Sequence, residues 1–307
     1  MYEAYYGFRE RPFSLIPDPD FLYLSRGHAM ALSLLEYGLT EQTGFVVISG
    51  EVGSGKTTLI RRLLNNASDE LIIGLITNTH RSFGELLRWI CLAFDLDYKG
   101  KDKVQLYQDF VDFLLDQYAA GRRIVLIIDE GQNLDVDALE ELRMLSNVNA
   151  GKDYLLQIVV VGQPELLEKL RRPELRQFVQ RISVDHHLKP MELKDTIGYI
   201  RHRLEVAGGD PAIFDDLACC AVQYFSGGVP RLINILCDHS LVYGFAEDKP
   251  RIDIDTVIDV ADDRRLSGLG SFHSGGEEMS REEIKTAIKR SSIVSLDNGR
   301  EVRSATK

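Results

Sequence analysis

Gly50-Glu51-Val52-Gly53-Ser54-Gly55-Lys56-Thr57 is the stretch of sequence that decides the fold. It fits the pattern G-x-x-x-x-G-K-T, follows the apolar run Phe45–Ile48 and precedes a segment whose apolar residues recur at helical spacing. In such a strand–loop–helix turn, glycines let backbone N–H groups converge on phosphate oxygens, and the start of the helix adds a favourable partial charge. The stretch therefore predicts a site for the phosphates of a nucleotide.

Two side chains at the end of this loop have predictable roles. Lys56 is expected to reach the β- and γ-phosphates, and the hydroxyl of Thr57 is expected to bind Mg²⁺. The alternative is a glycine-rich turn that matches the pattern by chance, and the strand before the loop and the helix after it count against that alternative. The residues predicted to contact the nucleotide are Gly50, Glu51, Val52, Gly53, Ser54, Gly55, Lys56, Thr57 and Thr58.

Apolar runs of strand length alternate with amphipathic helices up to about Pro190. The runs Ile124–Ile128 and Leu155–Val161 are continuously apolar, which is typical of strands buried on both faces. Apolar residues at helical spacing predict the helices, one of them about Leu139–Leu145. The sequence therefore indicates an α/β fold built on a parallel sheet that is covered by helices on both faces.

The pattern changes to helices alone after about Met191. Glycine-rich turns separate the predicted helices, which are Glu192–Ala207, Ala212–Phe225, Pro230–Ala246 and Asp255–Asp262. These helices predict a second, small all-α domain over residues 191–265, beside an α/β domain over residues 1–190.

Residues 266–307 contain few large apolar side chains, so we predict a tail that is mostly disordered. Ser280 with Glu283 has the spacing of a helix cap, and Ile284, Ala287 and Ile288 recur at helical spacing after it. This pattern predicts one short helix, 280–290, which is either a docking peptide or disordered like the rest of the tail.

Polar side chains follow two of the predicted core strands. Asp129 and Glu130 come directly after Ile128, in the crevice where open α/β sheets bind ligands, although a solvated acidic turn is the alternative. We expect Asp129 to bind Mg²⁺ and Glu130 to orient and polarise the attacking water. Gln163, after the strand ending at Val161, is expected to lie level with them and to hold that water or contact the γ-phosphate.

Several arginines are candidates for contact with the bound triphosphate. The stretch from Lys169 to Arg181 is rich in cations, and an arginine from a neighbouring subunit accelerates nucleotide hydrolysis by ~10³–10⁵. Arg181 is the first candidate for such a finger and Arg176 the second, whereas a solvated basic face is the alternative for both. Arg231 follows Pro230 at a predicted helix start, where it is placed to contact the triphosphate from the helical domain.

Composition limits the remaining possibilities. The 307 residues contain 36 Lys and Arg against 47 Asp and Glu, a net charge of −11, which excludes a uniformly basic coat for nucleic acid but not a local basic stripe. No apolar run approaches the ~18–20 residues that span a bilayer. We therefore expect a cytoplasmic chain without a direct membrane span.

Taken together, the nucleotide motifs resemble those of AAA+ ATPases, and the opening segment resembles the ExeA/GspA type within them. The same type includes relatives that accompany exosortase and exopolysaccharide gene clusters. The stretches that carry the second resemblance include Tyr5-Tyr6-Gly7-Phe8, Pro12-Phe13, Phe21-Leu22-Tyr23, Val161-Gly162-Gln163-Pro164 and Tyr199-Ile200-Arg201-His202. The resemblance covers about residues 1–262.

This resemblance implies an enzyme that hydrolyses ATP with Mg²⁺. It implies a P-loop three-layer αβα core of five strands, a small all-α lid formed by the helical domain, and assembly of several copies into a ring or filament. The positions that match the family's motifs are Lys56 and Thr57 for Walker A, Asp129 and Glu130 for Walker B, Gln163 for sensor 1 and Arg231 for sensor 2.

Two biological roles follow from the resemblance, and a third class stays open. The first is assembly of a secretion, export or exopolysaccharide system through a partner protein, with the chain in the cytoplasm or peripheral at the inner membrane. The second is a DNA-associated ATPase of the transposition-regulator type that assembles on duplex DNA, for which Lys169–Arg181 and Arg201-His202-Arg203 are candidate contacts. The third is a scaffold that binds ATP and scarcely hydrolyses it, against which Glu130 argues.

Overall fold

The computed structural model describes residues 1–16, 18–41, 44–66, 68, 70–77, 85–151, 153–267 and 280–290. The chain divides into two compact units. The sheet unit contains His28–Val52 and Lys56–Lys189, and the helical unit contains Met1–Gly27, Gly53–Gly55 and Pro190–Lys307.

A parallel sheet of five strands forms the centre of the sheet unit, as the sequence predicts. The strands are β1 Phe45–Gly50, β2 Leu71–Ile76, β3 Arg123–Ile128, β6 Leu156–Gly162 and β7 Ile182–Leu188; a separate two-stranded ribbon contains β4 Asn149–Ala150 and β5 Asp153–Tyr154. The order of the strands in the sheet is β2-β3-β6-β1-β7, so the chain crosses over between neighbours and needs helices on the faces.

Alternate residues of each central strand enter two different cores. Phe45 and Val47 of β1 belong to one apolar cluster, whereas Val46 and Ile48 belong to another, which shows that both faces of the sheet are covered. The helices of the sheet unit are α2 Arg26–Thr40, α3 Lys56–Asn65, α4 Leu86–Ala93, α5 Lys103–Ala119, α6 Val136–Leu145, α7 Pro164–Leu170 and α8 Arg176–Val179. The first two residues of α2 belong to the segment Met1–Gly27 of the helical unit.

The helical unit has one apolar core, and the domain boundary predicted from the sequence divides this core wrongly. Tyr2, Phe8, Phe13 and Phe21 are buried in the same cluster as the helices after residue 190. The predicted domain 1–190 therefore needs a correction, because residues 1–27 complete the core of the helical unit. Its elements are α1 Tyr2–Tyr6, α9 Leu193–Val206, α10 Asp216–Ser226, α11 Pro230–Ala246 and α12 Ile254–Leu266.

Helix α10 begins four residues later than the predicted start at Ala212. Phe214 instead forms a parallel bridge with Ile252, and the side chain of Asp215 accepts a hydrogen bond from the N–H of Ala218. The aspartate is a favourable N-cap, so it fixes the start of the helix after the bridge.

The predicted short helix in the tail is present. Residues 281–290 form α13, and the N–H and hydroxyl of Ser280 both donate to the carboxylate of Glu283 at its start. The disorder predicted for the rest of the tail concerns residues 268–279 and 291–307, which lie outside the described residues. None of the helices in the described ranges is long and apolar enough to cross a lipid bilayer.

Arg203 on α9 holds the N-terminal segment in place. Its side chain is only 7% exposed, with Nε donating to the carbonyl of Pro12, Nη2 to that of Ser14 (3.3 Å) and Nη1 to the hydroxyl of Tyr199 (3.0 Å). Its guanidinium also lies 4.8 Å from the centre of the Phe21 ring, a favourable cation–π distance. Arg203 is thus part of the interior and not of a DNA-binding surface.

We expect Arg203→Ala to destabilise the helical unit by at least about 3 kcal/mol, because three oxygen acceptors lose a charged donor in the interior. Arg201→Ala is the matched control, since Arg201 lies two residues away and forms one exposed ion pair with Asp216. This control is expected to cost less than about 1 kcal/mol. Urea unfolding followed by circular dichroism measures both changes, and equal losses for the two variants would contradict the role assigned to Arg203.

Candidate active site

Three strands of the sheet end side by side beneath the predicted nucleotide site. Strand β6 lies between β3 and β1, and the register pairs Val160 with Ile128 and Val161 with Ile48. The residues after these strands are therefore brought to one edge of the sheet. This edge carries the phosphate loop after β1, the acidic pair after β3 and Gln163 after β6.

Glycines give the phosphate loop its curvature. Gly53 and Gly55 have φ angles of +79° and +95°, in a region that side chains with a Cβ atom rarely adopt. Helix α3 begins at Lys56, so the N–H groups of its first turn point towards the loop. Thr58, also predicted to contact nucleotide, lies half-buried in that first turn.

Lys56 is buried and ties the two ends of the loop together. Its Nζ donates to the carbonyl of Gly50 at 2.7 Å and to that of Glu51 at 2.8 Å. Burial lowers the pKa of this amine, while the nearby carboxylates of Glu130 and Asp129 act in the opposite direction. An ammonium group that is short of water in this way favours an anionic partner.

Thr57 and Asp129 meet directly. The hydroxyl of Thr57 donates to Oδ2 of Asp129 at 2.9 Å, and the N–H of Glu130 donates to Oδ1 at 2.9 Å. Burial raises the pKa of the Asp129 carboxyl, and these two hydrogen bonds lower it only in part. The site therefore contains a buried carboxyl whose pKa stays raised although the ammonium of Lys56 lies nearby.

The oxygen atoms of Thr57 and Asp129 fit Mg²⁺, which prefers hard oxygen ligands and usually keeps several waters besides one or two protein groups. Among the residues that the structure describes, no group of three or more His, Cys, Asp or Glu side chains is placed to hold a metal ion. Thr57 and Asp129 are the two side chains that would hold Mg²⁺, with phosphate oxygens and water completing its ligands.

Glu130 has a specific local geometry. Its φ angle is +55°, a left-handed conformation that is uncommon for a residue with a side chain. Its carboxylate accepts hydrogen bonds from Nε2 of Gln132 at 2.6 Å and from Nε2 of Gln163 at 3.1 Å. The predicted neighbours Glu130 and Gln163 are thus in direct contact, and two amides fix the direction of the carboxylate.

Gln132 and Lys169 are parts of the site that the sequence interpretation missed. Oε1 of Gln132 accepts from the backbone N–H of Gln163 at 3.0 Å, while Nζ of Lys169 donates to the carbonyls of Gln132 and Leu134. Lys169, a candidate DNA contact in the alternative role, therefore secures the acidic turn. The available signal was the position of a polar side chain two residues after Glu130.

Arg231 contacts the middle of the phosphate loop, which groups with the helical unit. Its backbone N–H donates to the carbonyl of Gly53 at 3.1 Å. A Cβ atom on Gly53 would lie 2.4 Å from the Cβ of Arg231, so this position needs glycine for the approach as well as for its φ angle. The side chain of Arg231 is exposed.

The two candidate finger arginines differ in their surroundings. Arg176 is exposed at the first residue of α8. Arg181 is half-buried just before β7, where its Nη1 donates to the hydroxyl of Ser146 at 3.1 Å. Their assignment as fingers stays a prediction.

Comparisons with known proteins identify related sequences and a shared fold. The AAA domain family matches residues 39–170. General secretion pathway protein A of Aeromonas hydrophila is 44% identical over 253 residues, which are 82% of this chain and 46% of that protein. The chain thus spans just under half the length of this curated relative.

Solved structures share the fold at low identity. The ORC2 protein of Aeropyrum pernix in its ADP form matches with a TM-score of 0.61 and 16% identity, over 93% of this chain and 84% of that one. Cdc6p from Pyrobaculum aerophilum matches with a TM-score of 0.60 and 14% identity, over 82% of this chain and 70% of that one. These likenesses confirm the predicted α/β fold class with its P-loop core.

The substitution Asp129→Asn tests how much the buried charge of this carboxylate lowers the stability of the fold. A raised pKa in the fold means that this group favours folding below its unfolded pKa, near 4, and that the benefit is lost as the pH rises through the folded pKa. We therefore expect Asp129→Asn to raise the thermal midpoint of the ligand-free chain at pH 7 and to leave it unchanged near pH 4. Circular dichroism at the two pH values measures the difference.

Glu168→Gln, at an exposed position of α7, is the control for removing one negative charge and is expected to change the midpoint little at either pH. With saturating Mg²⁺ and nucleotide, wild type should have the higher thermal midpoint of the two. The reason is that the ligands bind the folded wild-type chain more tightly than Asp129→Asn and therefore stabilise it more. A loss of stability in ligand-free Asp129→Asn at pH 7 would contradict the prediction.

Proposed function

Because this chain belongs to the AAA ATPases of the general secretion pathway protein A type, we propose that it binds ATP with Mg²⁺ and hydrolyses it to ADP and phosphate. One observation carries the proposal. Thr57, Asp129 and Glu130 come together at the strand ends beside the phosphate loop, with Glu130 oriented by amides of Gln132 and Gln163. Nucleotide binding alone does not require a carboxylate held in that way.

The residues of the site divide the work of hydrolysis between them. Backbone N–H groups of Gly53 to Thr58 and the ammonium of Lys56 bind the phosphates. Thr57 and Asp129 would hold Mg²⁺, which would supply positive charge against that of the phosphates. Glu130 orients and polarises the attacking water, which is the usual part of a carboxylate in this position. Gln163 holds Glu130 in that direction and contacts the water or the γ-phosphate.

Arginines complete the proposed site. Arg231, whose backbone already contacts Gly53, contributes its guanidinium to the bound phosphates. Arg181, or Arg176 in its place, acts on the nucleotide of a neighbouring copy in a ring or filament. Assembly of several copies is therefore part of the proposal.

The proposed process is assembly of an envelope secretion, export or exopolysaccharide system through a partner protein. Its support is the 44% identity to general secretion pathway protein A. We place the chain in the cytoplasm or peripherally at the inner membrane. The DNA-associated alternative loses two of its candidate contacts, since Lys169 and the buried Arg203 are each bonded to backbone carbonyls within their own unit.

Steady-state ATP hydrolysis with variants of the site tests the proposal. We expect Lys56→Ala to remove nucleotide binding, and Glu130→Gln to retain binding while lowering kcat by about 10²-fold or more. Gln132→Ala should lower kcat about tenfold at an unchanged KM, because it removes one hydrogen bond to a charged group. Gln177→Ala, at an exposed position of α8, is the matched control.

Turnover of Glu130→Gln at the wild-type rate would sink the hydrolytic proposal and favour a nucleotide-gated scaffold. The same assay with added duplex DNA separates the two processes. Strong stimulation by DNA at near-physiological salt would replace the secretion proposal with the DNA-associated one.

The finger assignment predicts that turnover per subunit rises with protein concentration. We expect Arg181→Ala to abolish this rise, because the copy that supplies the arginine no longer acts on its neighbour. Ser146→Ala is the control: it removes the hydroxyl that Arg181 contacts within the chain but leaves the guanidinium, so the rise should persist. Turnover that is independent of concentration in the wild type would remove the assignment, and a rise retained in Arg181→Ala but lost in Arg176→Ala would transfer it.

A further inference from the structure

Helix α13 lies against α12 within the helical unit. The side chains that contact α12 and its core are Arg281, Ile284, Lys285 and Ile288. Their spacing of i, i+3, i+4 and i+7 is that of a short amphipathic helix seated in a groove. Helix α13 thus covers a surface of α12 and its core, which we call the groove, and is itself one example of a helix that fits this surface.

The groove has an acidic side. Asp255 and Asp259 lie four residues apart on α12, where two like charges repel each other. Arg281 joins them, with Nη2 at 2.7 Å from Oδ1 of Asp255 and Nη1 at 2.5 Å from Oδ1 of Asp259. Lys285 adds a second cation 2.7 Å from Asp255. The charges on the two helices are therefore complementary, and the pKa of Asp255 is lowered by Lys285 and Arg281.

The groove also has an apolar pocket. Ile288 is fully buried in the core of the helical unit, in the same cluster as Val257 and Ile258 of α12, and Ile284 is half-buried against that cluster. We call Asp255, Asp259 and the pocket that Ile288 fills the acidic groove. It selects cations on one side and an aliphatic side chain on the other.

Helix α13 is held weakly for a structural element. It has ten residues, fewer than the ~12–15 at which an isolated helix becomes stable in water. Its ion pairs are partly exposed, with about 40% of the Arg281 and Asp255 side chains open to solvent, so dissolved salt screens them. Folding of α13 and its docking are therefore coupled, and salt weakens both.

We propose that the acidic groove is a docking site for a basic amphipathic helix of a partner protein, and that α13 covers it in cis until such a helix replaces it. The partner helix carries a cation, an aliphatic residue, a cation and an aliphatic residue at the spacing of Arg281, Ile284, Lys285 and Ile288. The two aspartates repel polyanions, which excludes nucleic acid as the occupant of this groove.

The test uses the full chain and a labelled synthetic peptide with the sequence of residues 280–290. The released variant, Arg281→Glu with Lys285→Glu, turns the cis helix away from the aspartates and leaves the groove intact. By fluorescence anisotropy at low salt, we expect the peptide to bind the released variant at least tenfold more tightly than wild type. Faster amide hydrogen exchange over 281–290 in the released variant verifies that the cis helix has left.

Two controls separate docking from general attraction to an acidic protein. The groove variant, Asp255→Asn with Asp259→Asn in the released background, should lose at least tenfold in affinity and most of its salt dependence. A peptide with alanine at both isoleucine positions keeps its charge and should also bind at least tenfold more weakly. The proposal would be overturned if the peptide bound wild type and the released variant equally. It would also be overturned if the groove variant, or the peptide with the two alanines, kept the affinity of the released variant for the original peptide. Dimers of the wild-type chain that the two Asp→Asn changes abolish would assign the groove to a second copy and overturn the separate partner.

Discussion

The hydrogen bond from Thr57 to Asp129 connects two parts of the sheet that are not neighbours. Helix α3 follows β1 and Asp129 follows β3, while β6 lies between these strands. This hydrogen bond therefore spans the end of β6, the strand that Gln163 follows. A slip of one residue in either strand pairing would turn Asp129 to the other face of the sheet. The register of three buried strands thus decides whether the site exists.

Hydrogen bonds within the chain orient much of the site. Lys56 bonds the carbonyls at the start of the loop, and two amides hold the carboxylate of Glu130 although its backbone is in an uncommon left-handed conformation. Such strain persists only where the surroundings hold it, as Lys169 does by bonding two carbonyls of the turn. Groups that are already oriented lose little entropy when the nucleotide binds, which is the physical basis of preorganisation.

The strands and the phosphate loop were predictable because their signals are local: an apolar run, a glycine pattern, a carboxylate after a strand. The place of residues 1–27 was not, since it depends on Arg203 reaching the carbonyls of Pro12 and Ser14 from about 190 residues away. The sequence did not predict a role for Gln132, because polar residues after a strand usually begin a loop. Its function appears only when the fold brings Gln163 beside it. Cations on α7 and α9 made a DNA contact one alternative. The burial of Arg203 and the hydrogen bonds of Lys169 depend on the tertiary structure, so composition could not predict them.

The core shared by the two ends of the helical unit imposes an order on synthesis. Phe8, Phe13 and Phe21 leave the ribosome early, but the helices that bury them begin only at Leu193. At ~5–20 residues per second, these aromatic side chains wait about 10–40 s for their partners. During that interval the sheet unit, whose last residue is Lys189, can fold, while the apolar side chains of the N-terminal segment remain exposed. A chaperone that binds nascent aromatic segments would find its target in residues 1–27, ahead of the sheet unit.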